Sequence, residues 1–339
     1  MSHHLAKQIF HLVVFLFGAT LPAAAEVSTN EPGAILVFPK VESSETTETI
    51  IQITNNAGSR TYARCFYVDG RSGSENTASW TVTDFQTTLT RQQPTFWVAG
   101  IGLPALPPDR PDDLYPGPIP PVAEGFLGEL RCIVVNESEN PVGRNALTGE
   151  ATMIDRATGQ ASKYQAIAFK GLSGNDGDNT LLLNEAEYSS CPRLLLMNHF
   201  FDDAPDPVLA TPLRTDLTVV PCSMDIEGSV PGDALLQFDV FNEFEQRLSR
   251  NLSVVCFKTV QLSRIDSSSQ PELSIFNYAL QGTLVGLTRI QPVADADTEH
   301  GHAVLGIAEE FRGPAVAGLN LHFIGGNLQS DVVILPDPF

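Results

Sequence analysis

The sequence predicts an all-β protein organised as two sandwich-type domains, and three observations carry that expectation. Short segments alternate apolar and polar residues with a period of two. Ile51 and Ile53 share one face while Gln52 and Thr54 share the other, the pattern of a strand with one side in a core and one in water. Turn formers such as Asn55-Asn56-Ala57-Gly58 and Asp69-Gly70 punctuate those segments, at the spacing of roughly 8–12 residues typical of sandwiches. Composition is the third: 26 Gly and 24 Pro in 339 residues, with Thr, Val and Ser crowding the apolar stretches, disfavour helices.

Taken in order, the first domain (26–172) shows strand patterns at Ile35–Val41, Thr49–Asn55, Tyr62–Asp69, Ser79–Phe85, Thr95–Ala99 and Gly128–Val135. Between the last two lies a proline-rich insertion, residues 103–122. Pro104 to Pro121 alone holds 8 prolines in 18 residues, which lack ladder donors and predict a stiff surface crossover. An irregular connector (173–213) follows, in which Leu194–Met197 reads as a short buried helix or strand. The second domain (214–339) repeats short phrases of the first in the same order. Val37-Phe38-Pro39 is matched by Val219-Val220-Pro221, Ile50–Ile53 by Leu235–Phe238, and Cys65-Phe66 by Cys256-Phe257. Ala146–Gly149 is matched by Ala279–Gly282 and Ile167-Ala168 by Ile307-Ala308, so a divergent duplication is expected.

The first 25 residues set the expected compartment. Lys7 precedes the apolar run Ile9–Gly18, and Ala23-Ala24-Ala25 offers a cleavage site before Glu26. That is the layout of a secretory signal peptide cleaved after Ala25, and the run is too short to span a bilayer. No later stretch is apolar enough to cross, so the expected protein is secreted or periplasmic, without a transmembrane segment. Its formal charge of −20, from 40 Asp+Glu against 20 Lys+Arg, repels polyanions and excludes nucleic acid as a partner. The five cysteines lie beyond the cleavage site, and no pair has C-x-x-C spacing, against a zinc finger or a thioredoxin-like motif. Four can pair and one is left over.

The stretch ILVFPKVESSETTETIIQITNNAGSRTYARCFYV resembles the opening strands of immunoglobulin-like sandwiches in bacterial exported proteins. Phrases such as GELRC, NDGDNT and FNEFEQRLS extend the resemblance over most of the chain, to a group of exported bacterial proteins with immunoglobulin-like β-sandwich domains. It implies two immunoglobulin-like domains and carries no activity with it. It also implies that the strands bearing Cys65 and Cys132, the third and sixth, are neighbours in one sheet and joined by a disulfide. Cys222 pairs with Cys256 if the shorter loop of the second domain closes; Cys191–Cys222 is the alternative.

Motifs for catalysis are few. G-x-S-x-G, S-x-x-K and H-E-x-x-H are absent, and three of the seven His fall in the leader. Two segments have metal-binding composition. Asn175-Asp176-Gly177-Asp178-Asn179 is oxygen-rich, which suits Ca²⁺ at Asp176 and Asp178, although turns use the same residues. Asp295, Asp297 and Glu299 alternate ahead of His300 and His302, a set able to hold Zn²⁺ or Cu²⁺, or to form a polar hairpin loop. Trp80, Phe85, Phe96 and Trp97 offer either a sugar-stacking platform or core packing. The reading that emerges is an exported, non-enzymatic protein binding a carbohydrate or another surface protein. Its rival is a secreted hydrolase or metal-dependent enzyme with its site between the domains.

Overall fold

Alternation becomes strand at the six segments expected in the first half, although the one expected at Ser79–Phe85 runs Val82–Leu89. In a computed structural model that describes residues 27–71, 80–105, 114–266, 269–293, 302–327 and 331–338, the chain is all-β. The first six strands are β1 (Ile35–Ser43), β2 (Thr47–Asn55), β3 (Thr61–Asp69), β4 (Val82–Leu89), β5 (Pro94–Val98) and β6 (Phe126–Val135). With β7 (Leu147–Asp155), β8 (Ala161–Gln165) and β9 (Ile167–Phe169) they form one sheet, ordered β4-β3-β6-β1-β2-β7-β8, with β5 beside β2 and β9 beside β1. β1 and β2 share only the pair Ser43–Glu48, and the two wings fold over a common core. Leu36, Phe38 and Tyr67 come to it from one wing, Ile51, Trp97 and Met153 from the other.

The second half supplies β10 (Thr180–Leu183), β11 (Pro192–Phe200), β12 (Leu213–Pro221), β13 (Met224–Asp225), β14 (Asp233–Asn242) and β15 (Arg247–Val255). It continues with β16 (Lys258–Gln261), the single helical turn α1 (Tyr278–Gln281), β17 (Val285–Pro292), β18 (Val304–Arg312), β19 (Ala315–Asn320), β20 (His322–Gly326) and β21 (Asp331–Ile334). A five-stranded sheet, β15-β14-β17-β11-β20, and a four-stranded sheet, β16-β12-β18-β19, enclose Met197, Leu217, Phe238, Phe276 and Ile290. A small sheet, β10-β21-β13, sits apart, with β13 and β21 parallel.

Two expectations need correcting here. Residues 173–213 are not an irregular connector, because Leu194–Met197 lies in β11, which pairs with both β17 and β20. Strands on both sides and a core beneath suit its run of three leucines and a methionine. The repeat also breaks at Ala279–Gly282, which forms α1 and its left-handed cap at Gly282, whereas the matched Ala146–Gly149 leads into β7. Asn277 caps this turn by accepting from Ala279 N, a local bond that overrides strand propensity. The leader (1–25) lies outside the described residues. No helix among the described residues is long and apolar enough to cross a membrane.

Cys65 and Cys132 stand directly opposite in the β3–β6 register and are bonded. The second disulfide is Cys191–Cys222, so the expected Cys222–Cys256 bridge does not form. Geometry explains the choice. Cys256 follows β15 in a left-handed conformation (φ 63°) that turns it towards the first half, with its Sγ 4.0 Å from the Asp69 carbonyl. Phe257 then seats on Gly70, where an added Cβ would lie 2.3 Å from the Phe257 Cβ. Burial, reinforced by the nearby Glu129 charge, pushes the Cys256 thiol up to about 12. A maleimide at pH 8 is therefore expected to leave the native protein unlabelled and to modify one thiol per chain in denaturant, as intact-mass analysis would show.

The two halves share a buried layer. Val37, Phe66 and Ile133 from the first meet Val220, Phe257 and Leu305 from the second in one apolar cluster. Arg131 on β6 crosses this layer: it pairs with Glu129 at 3.0 Å and donates to the carbonyls of Pro221 and Cys222 at 2.5 and 2.7 Å. Arg131 and Glu129 are 2% and 1% exposed, so neither has water as an alternative partner.

Candidate functional site

A cavity of about 590 Å³ opens at one end of the five-stranded sheet. Three strand ends meet there: Asn198–Phe200 of β11, Val285–Leu287 of β17 and Phe241–Asn242 of β14. Cross-strand register places Phe200 against Val285 and Phe241 against Leu287. Alternation then turns these four apolar side chains to the face opposite the buried Val240, Thr288 and His199. The β14–β15 turn forms a wall. Asn242 Oδ1 accepts from the backbone N–H of Phe244 and Gln246, both at 3.0 Å, and Glu245 takes the left-handed position (φ 60°). Phe244 is left 68% exposed at the tip. Beneath the floor, Gly286 gives room to Phe201, whose Cζ would be 2.6 Å from an added Cβ.

The rim is anionic. Glu310 is engaged by Arg312 at 2.6 Å, and Arg312 also holds Asp206 at 2.8 Å and stands 5.0 Å over the Phe200 ring. Glu243, whose Oε2 accepts from the Leu284 backbone N–H at 3.1 Å, and Glu245 have no ion-pair partner among the described residues. An exposed apolar floor beside uncompensated carboxylates attracts a ligand that is apolar at one point and cationic at the next.

His199, under this floor, is not poised for proton transfer. Its Nδ1–H donates to the Phe200 carbonyl at 3.0 Å and its Nε2 accepts from Thr288 Oγ1 at 2.8 Å. Burial drops its pKa to about 4, so the ring is neutral near pH 7. An unfolded imidazole takes its proton near pH 6.5 and the folded one near 4, so the unfolded chain binds more protons between those values. Stability from this site is present above pH 6.5 and falls as pH drops towards 4, by up to about 3 kcal/mol. In urea titrations at pH 8 and pH 4.5, His199→Gln should cost stability at pH 8. The gap to wild type should narrow or close at pH 4.5; a constant gap would assign the acid loss to other groups.

Of the metal candidates, the structure brings Asp176 and Asp178 together with Glu187, one carboxylate oxygen of each lying within 4.8 Å of the others. This all-oxygen set has the chemistry Ca²⁺ takes. Its present bonds are those of a turn: Asp178 N donates to Asp176 Oδ1, Thr180 N to Asp178 Oδ1 and Leu182 N to Glu187 Oε2. Burial and the two aspartates raise the Glu187 pKa. Sequence reasoning missed Glu187, although it stands eleven residues after Asp176, the offset at which calcium loops place their glutamate. Asp295, Asp297, Glu299 and His300 lie outside the described residues. His302 is described: its Nδ1 is 3.6 Å from Asp331 and its Nε2 4.0 Å from Asp233. The bond to Asp331, partly opposed by burial, raises its pKa. Asp331 also approaches Cys191 and Cys222, but their sulfurs are joined to each other and offer no thiolate.

Between the halves lies a second, more polar cleft of about 460 Å³, the place an enzyme site at their junction would occupy. Lys40 forms its floor, paired with Glu309 at 2.6 Å and Glu42 at 3.6 Å, and Ser162 Oγ donates to Glu309 at 3.1 Å. No histidine is among its described lining residues. The hydroxyl thus faces a carboxylate that already holds a lysine, a structural tie between β1, β8 and β18. The aromatic quartet is not a platform: Phe85 and Trp97 are core residues, edge to face 5.9 Å apart, while Phe96 on the next position is 62% exposed. No protein-family profile matches the chain, and no curated protein matches it.

Proposed function

We propose that this is an exported binding protein whose groove at the β11–β17–β14 end takes a segment of a surface or envelope protein. That segment presents an apolar side chain next to a lysine or arginine. The observation that carries the reading is the coincidence of four outward apolar side chains with Glu243 and Glu245 on their rim, neither in an ion pair among the described residues. The signal-peptide layout of residues 1–25 and two disulfides among the described cysteines support an oxidising destination. A duplicated immunoglobulin-like plan, with loops gathered at the sheet ends, suits such a role.

A displayed heptapeptide library panned on the protein tests this. Selected sequences should carry Phe, Leu or Ile beside Lys or Arg. Leu287→Asp should abolish their binding, and Glu243→Gln with Glu245→Gln should weaken it about tenfold, near 1.4 kcal/mol. Acidic selected peptides, or equal binding to Leu287→Asp, would contradict the assignment.

A further inference from the structure

The sheet edges of this molecule are handled in different ways. β4 is covered by the proline-rich crossover: Thr88 N and Thr87 Oγ1 donate to the Pro116 carbonyl at 2.8 and 2.9 Å. β8 and β19 cover one another, with Gln165 N on Asn320 Oδ1 at 3.0 Å and Asn320 Nδ2 on the Gln165 carbonyl at 2.8 Å. β5, β16 and β20 are only four or five residues long. β15 has none of these protections. It runs nine residues in unbroken register with β14, contains no proline or bulge, and has no second strand hydrogen-bonded to it among the described residues, although β12 packs near it. Leu248 and Val255 on it are 39% and 53% exposed. A long, flat, exposed edge is a template for another strand.

We propose that β15 pairs antiparallel with β15 of a second copy, centred on Asn251, joining two five-stranded sheets across a two-fold axis. The sequence of β15 is complementary to itself in that register. Arg247 then faces Val255, Leu248 faces Val254, Ser249 faces Ser253, and Arg250 faces Leu252. Leu248–Val254 and Ser249–Ser253 are matched pairs, each arginine faces an aliphatic residue, and no like charges stand opposite, whereas moving the centre to residue 250 would set Arg250 against itself. Both arginines are already neutralised within their own copy, Arg247 by Asp239 at 2.9 Å and Arg250 by Asp266 at 3.6 Å. The edge of a molecule of formal charge −20 is thus locally balanced, so two copies can approach there.

Cysteine cross-linking reads the register directly. Asn251→Cys should form a disulfide-linked dimer under mild oxidation. Arg247→Cys alone should not, while an equal mixture of Arg247→Cys and Val255→Cys should. In sedimentation velocity at tens of micromolar, wild type should run as a dimer. Asn251→Lys, which puts two ammonium groups face to face on an exposed strand, should run as a monomer with an unchanged circular dichroism spectrum and a melting temperature that no longer depends on protein concentration. A monomeric wild type, a dimeric Asn251→Lys, or cross-linking by Arg247→Cys alone would overturn the proposal; monomers that bind an added acidic strand would assign the edge to another protein.

Discussion

Arg131→Met is expected to destabilise the protein by about 3–5 kcal/mol, because it leaves the Glu129 carboxylate in an apolar layer without its counter-charge. Burial raises the Glu129 pKa, and Arg131 at 3.0 Å is what opposes that rise. The same substitution orphans two carbonyls at the junction of the halves, Pro221 and Cys222. The second substitution separates causes. Glu129→Gln added to Arg131→Met removes the stranded charge and should restore part of the loss, since a neutral pair avoids the desolvation penalty. Urea unfolding measures both. A cost below about 1 kcal/mol for Arg131→Met would mean that the shared layer admits water and does not hold the halves together.

The Cys65→Ala, Cys132→Ala pair is the next largest expected effect, about 4 kcal/mol by the loop-entropy estimate. The bridge spans 67 residues of sequence and lies wholly inside the first core. Removing Cys191–Cys222, which spans 31, should cost slightly less, because closure entropy grows only with the logarithm of loop length. Denaturant midpoints of the two double variants, each with Cys256 intact, test the order. A first-bridge variant as stable as wild type would show that β3–β6 pairing already restricts the unfolded chain.

β2 was legible because it is half buried, so period-two alternation records directly which face meets the core; β1, β3 and β6, buried on both faces between two cores, still showed as apolar strand runs, while β7, β8 and β9 went unread. β11 was less legible, since a strand flanked by β17 and β20 reads as a continuous apolar run, which helix and strand share. The Cys191–Cys222 bond depends on where β12 ends relative to the chain entering β11, a distance no local pattern encodes. Glu187 reaches Asp176 and Asp178 only through the turn after β10. The groove was illegible for the same reason. Phe200, Phe241 and Leu287 are ordinary strand residues until register brings three strand ends together, and Glu243 and Glu245 look like any acidic turn.

Backbone hydrogen exchange, with and without a saturating peptide selected on the native protein, tests the groove most directly. Protection is expected at Asn198–Phe200, Phe241–Gln246 and Val285–Leu287, with no change around Lys40, Ser162 and Glu309 in the cleft between the halves. Protection confined to that cleft, or to the Asp176–Glu187 turn, would contradict the assignment of binding to the sheet end.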